Sequence, residues 1–324
     1  MSKFPVNPIS VLPPGDSEYD LAIFALGFER RASAIANVIQ AKTGLAFGFD
    51  HNKTHSYASN FSLFREKGYE VFPDLNNKDF SAVFYRTLCE ALTKELAHTT
   101  TRVFSVCIDV SSFDRYRLAE MVSTISNLAK RDTFRGRLEI AFLYSIAKFI
   151  PPRPVQGRNE FAGPVHRSFA GRFADPGRPL ALIAGLGYEM GKVMGAAEYL
   201  QASRVISFFP DSPVEQFEPE VAKANASLLD SLRPEDKLHY PISDPYRTIA
   251  TLDAVTRGLD EHYNIVMLPG GPKIFAVACL VLQRHYPRVS IWRVSSGKSI
   301  AAHDVETSNT IVGFRWSPEQ NYVT

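Results

Sequence analysis

The run Pro269-Gly270-Gly271-Pro272-Lys273 stands between an apolar stretch, 264–268, and a helical one, 273–285. Two glycines after a strand let the backbone come close to a ligand and expose its amide N–H groups. Pro272 suits a first helical turn. Lys273 then lies at the positive end of the helix, where lysine and helix together would hold an anion; a tight turn required by packing alone is the other reading. The corresponding place earlier in the chain reads Asp109-Val110-Ser111-Ser112-Phe113-Asp114-Arg115. There Ser111, Ser112 and Arg115 would contact phosphate or ribose oxygens. Leu26-Gly27-Phe28-Glu29 and Leu186-Gly187-Tyr188-Glu189 share a second pattern, leucine-glycine-aromatic-glutamate. It makes Gly27 and Gly187 candidate ligand contacts. Glu29 and Glu189 are candidate catalytic groups, as a general base or as the carboxylate that attacks or stabilises a sugar in N-glycosidic cleavage. Asp211 closes an apolar run at the distance where a carboxylate binds a ribose hydroxyl. Glu29, Asp50, Asp74 and Asp109 each end a strand; if they converge, they would hold Mg²⁺ for phosphoryl or nucleotide hydrolysis. An acid at a helix start also serves as a plain N-cap, and that alternative stays open for each.

Three other patterns carry less. Gly185, Gly187 and Gly191 approximate a dinucleotide fingerprint with one residue too many before the last glycine, and Glu189 would repel a pyrophosphate, so a classical NAD site is not favoured. Ser296-Gly297-Lys298-Ser299 imitates the end of a phosphate-binding loop, but Trp292 stands where its leading glycine belongs. His51 and His55 lack a third ligand and read as solvated histidines. No cofactor follows from these residues.

The elements that must position these groups repeat. The run 21–32 answers 180–193, 44–50 answers 204–211, and a helical stretch with Asn60 answers one with Asn225. Further on, 104–122 answers 264–281 and 137–145 answers 288–296. Five matches in one order mark an internal duplication. Strands are expected near 20–26, 45–50, 69–73, 102–109 and 137–144 in the first copy. Helices are expected near 29–41, 58–67, 79–97 and 114–130. In the second copy the strands fall near 180–186, 204–209, 238–242, 263–268 and 288–294, with helices near 189–201, 214–232, 246–260 and 273–285. Strands that are apolar throughout belong to a parallel sheet covered on both faces. The fold class is therefore α/β: a Rossmann-like doubly wound parallel sheet, duplicated, with two halves related by a pseudo-twofold axis.

The expected boundaries are 1–150 for the first repeat, 151–179 for a linker rich in proline, glycine and arginine, and 180–324 for the second repeat with an extra strand at 310–316. The linker carries Arg153, Arg158, Arg167, Arg172 and Arg178 and is either a solvated connection or a basic strap near an anion. In such sheets ligands bind beyond the carboxyl ends of the strands, where the strand order reverses. The ligand is expected in the cleft between the two halves.

Composition sets the outer limits. The 324 residues hold 36 Lys+Arg against 34 Asp+Glu and are 45% hydrophobic, enough for a buried core and too balanced for a protein that coats nucleic acid. No apolar run approaches a membrane span, and the proline-rich N-terminus has no apolar signal segment. Cys89, Cys107 and Cys279 form no pair motif and read as buried reduced thiols of a cytoplasmic protein.

A doubled Rossmann-like unit with Gly270, Gly271 and Lys273 after a late strand, and with paired strand ends at 26–29 and 186–189, resembles the CRISPR-associated Rossmann fold (CARF) domains and the related SAVED sensors. The resemblance implies a cyclic oligonucleotide ligand, a role in bacterial antiviral defence and, since no effector segment is read in the chain, either an effector protein partner or a chain that is itself catalytic. Homo-oligomer formation stays open. The first copy departs from the pattern with Ser-Ser-Phe-Asp at 111–114. Three functions compete: a nucleotide-binding sensor, a metal- or Glu-dependent nucleotide hydrolase, and a scaffold whose acids are caps.

Overall fold

The computed structural model describes residues 6–8, 18–96, 103–131, 136–152, 160–172, 175–295 and 303–318. In chain order the elements are β1 (Val6–Pro8), β2 (Glu18–Leu26), 3-10 turns at Arg30–Ser33 and Ile35–Asn37, β3 (Gln40–Gly48), α1 (Tyr57–Glu66), β4 (Glu70–Phe72), α2 (Asn77–Leu96), β5 (Val103–Asp109), α3 (Arg115–Ala129) and β6 (Arg137–Ala147). There follow β7 (Phe161–Pro164), β8 (Leu180–Gly185), α4 (Lys192–Tyr199), β9 (Arg204–Asp211), α5 (Phe217–Ala224), α6 (Ala226–Ser231) and β10 (Lys237–Pro241). The last elements are α7 (Pro245–Asp260), β11 (Asn264–Pro269), α8 (Lys273–Gln283), β12 (Ser290–Ser295) and β13 (Thr307–Trp316). They fall into two units, Met1–Lys148 with Ala302–Thr324, and Phe149–Ala301.

Unit 1 holds a seven-stranded sheet in the order β1-β13-β6-β5-β2-β3-β4, and unit 2 a six-stranded sheet in the order β10-β9-β8-β11-β12-β7. Within each, five consecutive strands are parallel. Numbered by their sequence within a unit, these five run third, second, first, fourth, fifth in both sheets, the order of a Rossmann-type half. An antiparallel strand flanks the fifth in both, β13 beside β6 and β7 beside β12. The α/β class expected from the apolar runs is what is found. The central strands are buried because both their faces are covered, with Leu21–Leu26 at most 2% exposed. Helix α8 is apolar all round because every residue from Ile274 to Gln283 is buried.

Four expectations are corrected. The strand near 310–316 does not complete the second repeat. It pairs with β6 of unit 1, where the Phe314 ring lies tilted against Phe142 at 5.4 Å and Trp316 stacks on it at 6.1 Å. The stretch 151–179 is not all linker: Phe161–Pro164 pairs with β12, and the Arg293 guanidinium lies 4.6 Å from the Phe161 ring. Arg178 precedes β8 and donates to Asp260 O at the C-terminus of α7, at the amino edge of the sheet, so it is no strap at the carboxyl edge. Arg153 and Arg158 lie outside the described residues. The helix expected at 29–41 is two 3-10 turns. The backbone N–H groups of Arg30 and Arg31 are fastened to Asp304 Oδ1 and Val305 O, and β3 begins at Gln40. The helix expected at 214–232 breaks at Asn225, whose side-chain amide bonds Val221 O and Gly187 O. Among the described residues no helix is long and apolar enough to cross a membrane.

Candidate functional site

In each sheet the order reverses between the first and fourth strands, β2 and β5 in unit 1, β8 and β11 in unit 2, and their carboxyl ends carry most of the sequence-derived candidates. In unit 2 the turns after β8 and β11 lie backbone against backbone. A Cβ on Gly270 would sit 2.3 Å from Gly185 O, and one on Gly187 would sit 2.9 Å from Gly271 N. Gly271 has φ +65°, and its Cβ would meet Leu186 O at 2.2 Å. These glycines were expected to make room for a ligand; they first make room for each other. Their outer edges, with Gly187, Pro272 and Lys273, remain half-buried at the rim.

Helix α8 starts at this rim with Pro272 at its N-cap, no side-chain cap and no acid in its first turn. Helices α3 and α7 are capped by Asp114 and Asp244, which accept from Arg117 N and Arg247 N. Glu189 folds back on its own turn: Oε1 pairs with Lys192 Nζ at 3.1 Å, and Oε2 lies 2.7 Å from where a Gly187 Cβ would be. Tyr188 stacks on Phe217 with centroids 5.8 Å apart.

In unit 1 the same two strand ends meet through side chains. A Cβ on Gly27 would lie 3.2 Å from Ser112 Cβ. Glu29 Oε2 accepts from Arg31 Nε at 2.7 Å and from Ser112 Oγ at 3.2 Å. Arg31 is buried, which works against its charge, but Glu29 and Tyr144 outweigh that, and its pKa stands above the ordinary arginine value. Gly27, Glu29 and Ser112 thus come together, whereas Ser111 turns inward. It is buried, and its Oγ accepts from Ser145 N at 2.8 Å to hold β6, so it is not a ligand contact. Arg115 opens α3 and is half-buried.

The four acids of unit 1 do not converge, so the Mg²⁺ set of Glu29, Asp50, Asp74 and Asp109 is not formed. Glu29 pairs with Arg31, Asp74 with Lys53 Nζ at 3.2 Å, and Asp50 with His51 Nδ1 at 2.6 Å. Asp109 is buried and accepts from Ser111 N at 2.8 Å. Among the described residues no three His, Cys, Asp or Glu side chains could share a metal. The His51 bond draws the Asp50 carboxyl below the usual aspartate range. Asp211 ends β9, one strand from the reversal, and bonds His239 Nδ1 at 2.7 Å. Cys107 and Cys279 are buried thiols outside any disulfide, and burial pushes the Cys107 thiol up; Cys89 is half-buried. Residues 296–299 lie outside the described residues.

Two site residues had no assigned role in the sequence. Asn60 Nδ2 donates to Gly27 O and Glu29 O, both at 2.9 Å. Asn225 Nδ2 donates to Gly187 O at 2.8 Å. Each is buried, and each ties a helix to the carbonyl of the glycine in its leucine-glycine-aromatic-glutamate turn. Their matching places in the two copies were the available signal. Asn60→Ala and Asn225→Ala are each expected to cost about 1–3 kcal/mol, because the turn carbonyl is left buried without its donor. Urea unfolding of the two variants measures it.

No family model matches the chain, and no curated protein matches it. Among solved structures, a Type III CRISPR defence DNA nuclease activated by cyclic oligoadenylate is similar to it with a TM-score of 0.43 and 11% sequence identity, over 85% of this chain and 65% of that one. The chain thus spans a little under two thirds of the length of that structure.

Proposed function

We propose that the chain binds a nucleotide-derived anion at its switch-point rims, with a cyclic oligonucleotide as the leading candidate, and that it is the sensing part of a bacterial defence-type system with a separate effector partner. One observation carries the anion: α8 opens at the switch point of unit 2 with Lys273 first, no capping side chain and no acid in its first turn; α1 and α4 share the missing cap and acid, with Lys192 of α4 ion-paired to Glu189, whereas α3 and α7 have aspartate caps. The amide dipoles at that end favour negative charge, and a lysine beside them adds to it. Gly187, Gly270, Gly271 and Lys273 in unit 2, and Gly27, Ser112 and Arg115 in unit 1, are the proposed contacts. Glu29 and Glu189, each ion-paired within its own turn, hold those turns in this proposal.

The two units are further proposed to be copies of one ancestral unit. The shared strand order, the shared turn and the two asparagines that reach the same glycine carbonyl support this.

Calorimetric titration with cyclic and linear oligoribonucleotides tests the proposal. Lys273→Ala is expected to weaken binding about tenfold, the size of one charge-assisted contact, with unfolding unchanged because the residue is half-buried at a helix start. Heat from none of the oligonucleotides would end the proposal; loss of folding in Lys273→Ala would make the lysine structural.

A further inference from the structure

The end of the second strand is where a bare carboxylate reads a ribose hydroxyl in dinucleotide-binding sheets. Here that carboxylate carries a histidine in both units. Leu26 lies opposite Gly48 in the ladder, and Asp50 is two residues further on. Gly185 lies opposite Phe208, so Leu186 faces Phe209, and Asp211 is again two residues further on. Asp50 Oδ1 bonds His51 Nδ1 at 2.6 Å, and Asp211 Oδ1 bonds His239 Nδ1 at 2.7 Å.

The two imidazoles come from different places in the sequence. His51 is the next residue after its aspartate, while His239 comes from β10, the neighbouring strand. A phenylalanine of the same strand end lies beside each ring, Phe49 at 5.6 Å from His51 and Phe209 at 5.0 Å from His239. The same pair is thus assembled twice, at one place in the fold, from unrelated sequence positions. Stability does not require it, since exposed pairs contribute little, and His51 and His239 are 62% and 58% exposed in their side chains.

We propose that His51 and His239 each read a sugar hydroxyl of a bound nucleotide, each in its own unit; this rests on the nucleotide ligand proposed above. The chemistry fixes the kind of group. An ionised carboxylate only accepts, so the proton of the neutral imidazole sits on Nδ1 and Nε2 presents a lone pair. Neither Nε2 makes a hydrogen bond among the described residues. A lone pair held in place at that position accepts from an O–H or N–H donor, and the donor that a ribose has and a deoxyribose lacks is its 2′-hydroxyl. A phosphate diester has no proton to give it, and a deoxyribose has no 2′-hydroxyl. The dyads therefore select ribose over deoxyribose.

The test titrates the full chain with cyclic oligoadenylates and their 2′-deoxy counterparts. The ribose forms are expected to bind about tenfold more tightly. His239→Ala and His51→Ala are expected to lower ribose binding toward the deoxy level and to leave deoxy binding unchanged. Equal binding of the two series by the unaltered chain, or a preference that survives both substitutions, overturns this inference alone. Binding of neither series overturns it together with the proposed function. Histidine ¹⁵N NMR on the ligand-free chain gives a readout independent of any nucleotide. His51 and His239 are expected to carry their proton on Nδ1, unlike the exposed His262, and a proton on Nε2 in both would overturn the inference.

Discussion

Arg117→Ala is expected to destabilise unit 1 by about 3–5 kcal/mol, because it removes a buried cation from two carbonyls and leaves them without a donor. Arg117 belongs to α3 and is 1% exposed. Its Nη1 donates to Gly48 O at 2.7 Å and its Nη2 to Leu75 O at 2.5 Å, so one guanidinium ties the end of β3 to the exit from β4. The Phe49 and Phe80 rings lie 3.9 and 4.7 Å from it. Burial pushes its pKa down, while Asp114 and Asp50 partly restore it. Because Gly48 and Phe49 lead directly into Asp50 and His51, the same substitution is also expected to disorder the dyad of unit 1. Arg117→Met keeps most of the stem volume, so the difference between the two variants isolates the loss of packing from the loss of the head group. The chain has two tryptophans, Trp292 in unit 2 and Trp316 in unit 1. In a Trp292→Phe background the remaining indole reports unit 1 in a urea titration. A loss below about 1 kcal/mol would mean that water replaces the guanidinium at both carbonyls.

What could be read beforehand follows a physical divide. The parallel strands announce themselves because each is an apolar run covered on both faces, and their ends fall where glycine and acidic residues interrupt the run. The order third-second-first-fourth-fifth then places Gly27, Ser112, Gly187 and Gly271 at the two reversals. Edge pairing was not legible. Whether Thr307–Trp316 lies beside β6 or β12 depends on which sheet edge is open and apolar, and no local pattern states that. Ser111 and Ser112 are adjacent and chemically identical, yet one hydroxyl anchors β6 and the other meets Glu29. Only the turn between β5 and α3 decides between them. The Arg30–Ser33 and Ile35–Asn37 turns have helical composition; the N–H groups of Arg30 and Arg31 are taken by 304–305, more than 270 residues on. His239 was invisible for a similar reason, since its partner Asp211 sits on the neighbouring strand. Asn60 and Asn225 could have been assigned a role, because each falls at a matching place in a repeated frame.

Gly270→Ala is expected to cost unit 2 about 3 kcal/mol or more, and to abolish anion binding at the α8 rim. The methyl carbon would lie 2.3 Å from Gly185 O, a backbone atom of a buried strand that has no rotamer to escape into. Overpacking of this kind forces the main chain itself to move. Here the turn after β11 would have to part from the turn after β8, which carries the start of α8 outward and breaks the approach of Gly271 to Leu186 O and Gly187. Gly27→Ala in unit 1 supplies the contrast. Its methyl carbon meets the Ser112 Cβ at 3.2 Å, a contact that a few tenths of an ångström of movement relieves. That variant is expected to cost about 1 kcal/mol. Both are measured by hydrogen exchange, Gly270→Ala at the amides of β8 and β11 and Gly27→Ala at those of β2 and β5, alongside calorimetric titration with the oligonucleotides. If Gly270→Ala kept full protection in β8 and β11, the close approach of the two turns would be slack that the fold does not need. Their rigidity could then no longer be the reason that the first amides of α8 are held at the rim.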